Sequence, residues 1–150
     1  MIVDGSMGGM KRLIRVFLES RSILAGDWTT EQILLHINHY GLPWVGLLHT
    51  DKLASVVLYN QLKGLTEVHY LETCDSCRGQ GFMKQLLAEF IKRQQGRSIW
   101  LDVHEQNSQA RALYHLFGFR QTGLRKGYYR DGGSCFLMSL DGQGIGAENY

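Results

Sequence analysis

The sequence predicts a mixed α/β fold, and three observations carry that expectation. Strand-like runs of β-branched and apolar residues fill the first half, helical periodicity returns twice in the second half, and glycines stand at the joints between periods. Lys11 to Leu18 is apolar and β-branched enough to be expected as a first strand, followed by a short polar segment to Asp27. Thr29 or Thr30 can cap a helix with Ile33, Leu34 and Ile37 at helical spacing, stopped by Gly41-Leu42-Pro43. Trp44–His49 and Leu53–Asn60, joined through Thr50-Asp51-Lys52, read as a hairpin, and Glu67–Thr73 as a further strand after Lys63-Gly64. Phe82, Met83, Leu86, Leu87, Phe90 and Ile91 share a helical stripe, with Gly96 past its end. Ile99–His104 is a strand, Ser108–Phe117 a second helix ended by Gly118, and strands are expected around Phe119–Lys126 and Ser134–Leu140.

With 150 residues, 44% of them apolar and 20% charged, the chain has the size and composition of one folding domain. That domain is expected over residues 10–141. Three glycines in Met1–Gly9 and three more in Asp141–Tyr150 mark residues 1–9 and 142–150 as loose tails. No apolar run approaches the roughly 20 residues of a bilayer crossing, and no signal-peptide stretch opens the chain, so a cytoplasmic protein without membrane contact is expected. A monomer or weak dimer is expected. The formal charge of +2 is too small for a nucleic-acid binder, though it favours an anionic cofactor. Three cysteines, an odd number, argue against a disulfide framework, so reduced thiols are expected. Cys74 and Cys77, with Cys135 and His69, lack the second paired motif of a structural zinc site, and no metal is expected.

The chemistry is concentrated where Thr73-Cys74-Asp75-Ser76-Cys77-Arg78-Gly79-Gln80-Gly81-Phe82-Met83 leads a strand end through a glycine loop into an amphipathic helix. The first turn of a helix leaves N–H groups free and carries partial positive charge, which suits a pyrophosphate. Gly79 and Gly81 can also be no more than a turn. A P-loop is excluded because no Lys-Ser/Thr pair follows the second glycine, and a dinucleotide fold because no GxGxxG follows a strand.

Arg78, Gly79, Gln80, Gly81, Phe82 and Met83 resemble the Arg/Gln-x-x-Gly-x-Gly/Ala signature of the GNAT acetyltransferases, departing from it at Met83. A second block, Leu101-Asp102-Val103-His104-Glu105-Gln106-Asn107 through Leu113-Tyr114 to Gly118-Phe119, is similar to the other GNAT segment. The resemblance covers roughly Trp28 to Leu140. It implies the GNAT fold, a mixed central β-sheet flanked by helices with a V-shaped splay between its two central strands, and acetyl-CoA as cofactor. A third block, Leu124-Arg125-Lys126-Gly127-Tyr128-Tyr129-Arg130-Asp131-Gly132-Gly133, resembles the Arg/Lys-x-Tyr-Tyr hairpin of N-terminal protein acetyltransferases, the RimI-type ribosomal-protein-alanine enzymes among them. There the tyrosines help hold the incoming peptide; two aromatics can equally close a hairpin.

Acetyl transfer to an amine needs a neutral nucleophile, donors for the oxyanion and a proton for the leaving thiolate. The resemblance implies Asp102 as base, one methylene shorter than the family's Glu, with Glu67 or Glu72 as substitutes. It implies Tyr114 as acid, although Tyr114 beside Leu113 and Phe117 otherwise reads as core. Backbone groups of Leu71, Glu72 and Thr73 are implied for the pantetheine arm, and Arg78, Gly79, Gln80, Gly81, Phe82 and Met83 for the pyrophosphate. Asn107 is implied at the coenzyme or is a plain helix cap. The acceptor implied is a protein N-terminal α-amine, with a ribosomal protein as the partner the resemblance suggests, held by Tyr128 and Tyr129. Alternatives are a small amine or lysine acceptor, or a non-catalytic acyl-CoA-binding module.

Overall fold

A computed structural model describes residues 1–21 and 28–142 of the chain. They fall into two compact units, one built from Met1–Asn60 and Tyr70–Phe90, the other from Gln61–His69 and the described residues from Ile91 onward.

The first unit opens with β1 (Ile2–Asp4), whose residues pair antiparallel with Leu47, Gly46 and Val45. The expectation of a loose tail over residues 1–9 is therefore corrected at its start. Val3 is buried in the core, but a three-residue strand is too short to display an alternating pattern. A second correction concerns Lys11–Leu18, which is not a strand but lies in helix α1 (Met10–Ser20). Ile14, Phe17 and Leu18 fall on one helical face and are buried, while Lys11, Arg12 and Arg15 take the exposed face. The polar segment expected to reach Asp27 lies, over 22–27, outside the described residues.

Helix α2 (Thr30–Asn38) begins at an N-cap on Thr29, whose hydroxyl accepts from the Gln32 N–H while the Gln32 side chain accepts from the Thr29 N–H, a reciprocal capping box. Strands β2 (Trp44–His49) and β3 (Lys52–Leu62) form the expected hairpin. Thr50 and Asp51 both have positive φ, 47° and 61°, the twist that a two-residue turn between strands requires. The core of this unit gathers Val3, Ile14, Phe17, Leu18, Ile33 and Trp44 with Leu53, Val56 and Leu58 of β3.

Strand β4 (Leu65–Thr73) gives Leu65–His69 to the second unit and Tyr70–Thr73 to the first. Helix α3 (Phe82–Arg93) buries Leu86, Leu87 and Phe90. The second unit continues with β5 (Ser98–His104), α4 (Ser108–Leu116), β6 (Arg120–Arg125) and β7 (Cys135–Leu140). Among the described residues seven strands hydrogen-bond in the order β1-β2-β3-β4-β5-β7-β6. β4 and β5 run parallel, registered at Leu65↔Ser98, Thr66↔Ile99 and Glu67↔Trp100, while β7 lies antiparallel between β5 and β6. No described helix is long and apolar enough to cross a membrane.

Alternation along β5 positions the site. Ile99, Leu101 and Val103 are buried, so Trp100, Asp102 and His104 stand on the opposite face. Directly paired residues share a face, which adds Glu67 beside Trp100, Leu137 beside Asp102, and Cys135 with Arg125 beside His104.

Candidate active site

In the first unit, β4 leads through a 3-10 turn over Asp75–Cys77 into the glycine loop and α3. The Cys74 N–H donates to the Ala54 carbonyl at 2.8 Å, and Thr73 Oγ1 lies 2.8 Å from Ser55 Oγ, which fix the end of β4 on β3. Gly79 and Gly81 have φ of 76° and 80°, and no atom lies within 4 Å of where a Cβ would stand on either. A side chain there would be strained and would fill open space over the loop. The first turn of α3 holds no acidic residue, and Met83 is half-buried. Backbone donors, open space above glycine and a first helical turn without carboxylates together fit a pyrophosphate. Arg78, although exposed, is held by carboxylates, 3.0 Å from Asp75 and 3.6 Å from Glu72. Gln80 donates to the Ser76 carbonyl at 3.3 Å.

The expectation of three reduced thiols is corrected here: Cys74 and Cys77 form a disulfide, and Cys135, buried in β7, is the free cysteine. The 3-10 turn brings the two Cα atoms to 5.2 Å, within bonding range, a local geometry that the parity of the cysteine count does not reveal.

Leu71 and Glu72 precede this loop, and Glu72 is already engaged. Its carboxylate accepts a hydrogen bond from the Tyr70 hydroxyl and lies 3.6 Å from the buried Arg21 guanidinium. Arg21 also sits over the Tyr70 ring, 5.3 Å from its centroid, and donates to the Trp28 carbonyl. Burial, then the neighbouring Glu72 carboxylate, pushes the Tyr70 phenol far above its ordinary range. Glu72 is thus part of a structural ion-pair cluster, and Arg21 is a member that no local motif announced.

In the second unit, Asp102 lies half-exposed on the open face of β5, with the Arg125 guanidinium 3.7 Å from its carboxylate. Arg125 also lies over the Tyr128 ring at 5.3 Å, and Tyr128 meets Tyr129 edge-on at 5.2 Å. Tyr129 is half-buried, and burial, then its contact with Cys135, raises its phenol pKa well above normal. The structure thus brings Asp102, Tyr128 and Tyr129 into one neighbourhood through Arg125. Glu67 is on the same face, 3.9 Å from His69.

Tyr114 is buried on α4 and packs against Phe119 at 5.7 Å; burial alone raises its phenol pKa, so it holds its proton. Asn107 caps α4, its side chain accepting from the Ala110 N–H at 3.2 Å.

His104 was not singled out from the sequence, yet its ring stacks on Tyr129 at 4.7 Å and its Nε2 lies 2.9 Å from Asp131. The Gly133 N–H, then His104, holds the Asp131 carboxyl below its usual pKa. The pair is separated by 27 positions, and only the strand register brings it together.

A family model described as Acetyltransferase (GNAT) family matches residues 11–119. The chain belongs to the GNAT acetyltransferase family. GNAT enzymes use acetyl-CoA, and the glycine loop before α3 is the segment where the resemblance placed its pyrophosphate. A relative from Mycobacterium tuberculosis, N-alpha-acetyltransferase RimI, is 37% identical over 76 residues, covering 50% of this chain and 48% of its own length. The chain thus matches about half the length of that relative. The [Ribosomal protein bS18]-alanine N-acetyltransferase of Haemophilus ducreyi is 31% identical over 62% of this chain and 68% of its own. Among solved structures, the ribosomal-protein-S18-alanine N-acetyltransferase from Escherichia coli superposes with a TM-score of 0.81 over 100% of this chain and 99% of that one, at 22% identity. This likeness establishes the GNAT fold that the motifs implied.

Proposed function

We propose that this GNAT chain transfers the acetyl group of acetyl-CoA to the N-terminal α-amine of a protein, by direct attack of the amine in a ternary complex. The observation that carries this reading is Arg125 joining Asp102 to the tyrosine pair, which groups a proton acceptor with the aromatic hairpin expected to hold a peptide. A relative named for acting on a ribosomal protein alanine supports the same acceptor class and makes a ribosomal protein the first candidate substrate to test.

Each part then has a task. Backbone groups of Leu71, Glu72 and Thr73 pair with the pantetheine arm, and those of Arg78 to Met83 hold the pyrophosphate, with Asn107 contributing to the coenzyme. The coenzyme supplies an acetyl thioester. Asp102, directly or through water, takes the proton from the acceptor ammonium, with Glu67 as the second carboxylate available on that face. Tyr114 keeps its proton because it is buried and gives it to the departing sulfur. Tyr128 and Tyr129 hold the acceptor backbone.

Incubating the protein with acetyl-CoA and a library of peptides bearing varied free N-termini and internal lysines, followed by mass spectrometry, tests this. Acetyl groups confined to α-amines are expected. Product on lysine side chains or small amines alone would reject the acceptor assignment, and tight acetyl-CoA binding with no product at all would favour a non-catalytic module.

A further inference from the structure

The hairpin carrying Tyr128 and Tyr129 is a loop between β6 and β7, and loops on a sheet rim hold a ligand only if something fixes them. Here the fixing group is His104 at the end of β5. Its Nδ1 is 3.1 Å from the Gln106 backbone N–H, which can only donate, so Nδ1 is the acceptor nitrogen and the proton sits on Nε2. That proton is directed at Asp131 Oδ2, 2.9 Å away, while Asp131 Oδ1 accepts from the Gly133 N–H at 2.8 Å. Both faces of the carboxylate are engaged, one by the strand and one by the turn.

The loop closes on itself around this point. The Tyr129 N–H donates to the Gly133 carbonyl at 3.1 Å, and the Gly132 N–H donates to the Tyr129 carbonyl at 3.0 Å. Glu105 holds the far side, its N–H donating to the Ser134 carbonyl at 2.9 Å and its carboxylate accepting from the Ser134 N–H at 3.0 Å. The Tyr129 ring then lies nearly parallel to the imidazole, 23° between planes at 4.7 Å. The approach is tight enough that a methyl group built on Gly133 would overlap His104 Nε2. Only glycine leaves the ring its place.

We propose that His104 is a positioning residue for acceptor binding: its ring, held by Gln106 and Asp131, is the platform that sets Tyr129 and with it the peptide-holding hairpin. The inference rests on the acceptor reading above, and it assigns to His104 no contact with the reacting atoms. Stacking supplies the alignment, and the Asp131 bridge keeps the loop from sliding off the ring.

The test compares wild-type protein with His104→Ala, His104→Phe, Gly133→Ala and the double variant His104→Ala/Gly133→Ala. Wild type is first shown to acetylate a peptide α-amine. His104→Ala is then expected to raise the acceptor KM about tenfold, with kcat and the Kd for acetyl-CoA changed by less than about twofold. His104→Phe keeps a flat ring under Tyr129 and restores most of the KM. Gly133→Ala displaces the imidazole and raises KM as well, whereas adding it to His104→Ala costs less than about twofold further, because the ring it strikes is gone and only the Asp131 carboxylate, 2.9 Å from the added carbon, has to shift. Melting temperatures of all variants confirm that folded protein is compared. A His104→Ala enzyme with wild-type acceptor KM, or equal losses in KM, kcat and coenzyme affinity, would overturn the inference while leaving the acceptor reading intact. Wild type that acetylates no α-amine would overturn that reading and the inference with it. If His104→Ala does not fold, Gly133→Ala against wild type decides alone.

Discussion

The guanidinium of Arg125 lies 3.7 Å from the carboxylate of Asp102, on the open face of the sheet and within reach of the tyrosine hairpin. Both partners are about half-exposed, so the pair adds only ~0–1 kcal/mol to stability. Its consequence is orientation. Arg125→Ala is expected to shift the melting temperature by no more than about 4 °C. The same variant should raise the acceptor KM by removing the cation that spans Asp102 and the Tyr128 ring. A large loss of thermal stability with unchanged KM would show the contact to be structural only.

Asp102 itself is tested by Asp102→Asn, which keeps size and hydrogen-bonding capacity but cannot accept the amine proton. Loss of a positioned general base lowers kcat by about 100-fold or more, and acetyl-CoA affinity, measured by calorimetry, should not move. Wild-type turnover in Asp102→Asn would pass the role to Glu67, where Glu67→Gln makes the same measurement.

Tyr114 has two readouts. As the proton donor, its replacement by Phe should lower kcat by about 100-fold without altering acceptor KM. The second readout is alkaline stability. Burial raises the folded-state pKa of Tyr114 above the ordinary phenol value of about 10, so above that pH the folded protein retains a proton that the unfolded chain has released. The associated stability is fully present below about pH 10 and is lost as pH rises through the folded-state pKa. Tyr70 and Tyr129 shift in the same direction. Urea unfolding should therefore show declining stability above about pH 10, with a shallower decline in Tyr114→Phe.

What the sequence disclosed followed the range of the interactions involved. The Thr29 cap, the Thr50-Asp51 turn and the stripe of Leu86, Leu87 and Phe90 are set by residues a few positions apart, and each appeared where local pattern placed it. Lys11–Leu18 carries β-branched residues and a helical stripe at once. Burial of Ile14, Phe17 and Leu18 with Ile33 and Trp44 decides for helix, and that contact is made by distant parts of the chain. Asp102 and the hairpin block holding Arg125 and Asp131 were visible through their motifs, whereas the pairing of Arg125 with Asp102 and of Asp131 with His104 comes from the β5-β7-β6 register. Arg21 likewise matters because the fold delivers it to Glu72.

The Cys74–Cys77 disulfide closes a short loop directly before Arg78. A loop of this length restricts the unfolded chain enough to be worth ~2 kcal/mol. Replacing both cysteines with serine is expected to lower the unfolding free energy by about that amount and to weaken acetyl-CoA binding through a looser glycine loop. Mass spectrometry of unreduced protein after thiol alkylation checks the bond directly: one alkylated cysteine is expected, Cys135, once the chain is unfolded. Three would show the disulfide to be absent.

Glu72 separates a structural role from a chemical one. Arg21 is buried beside it, and the Arg21 Nε has no hydrogen-bond partner, so Glu72 is the nearby carboxylate that offsets the cost of that charge. Removing one member of a buried pair leaves the other uncompensated, and Glu72→Ala should cost ~3–5 kcal/mol in urea unfolding. Arg21→Met combined with Glu72→Gln should recover much of the loss, because no charge is then left inside and Tyr70 keeps an acceptor for its hydroxyl. Turnover per folded molecule is expected to change little in the double variant, since the proton acceptor is Asp102. If Glu72→Ala instead melts like wild type while kcat collapses, the carboxylate on β4 is the base, and the Arg21 pair serves to hold it in place.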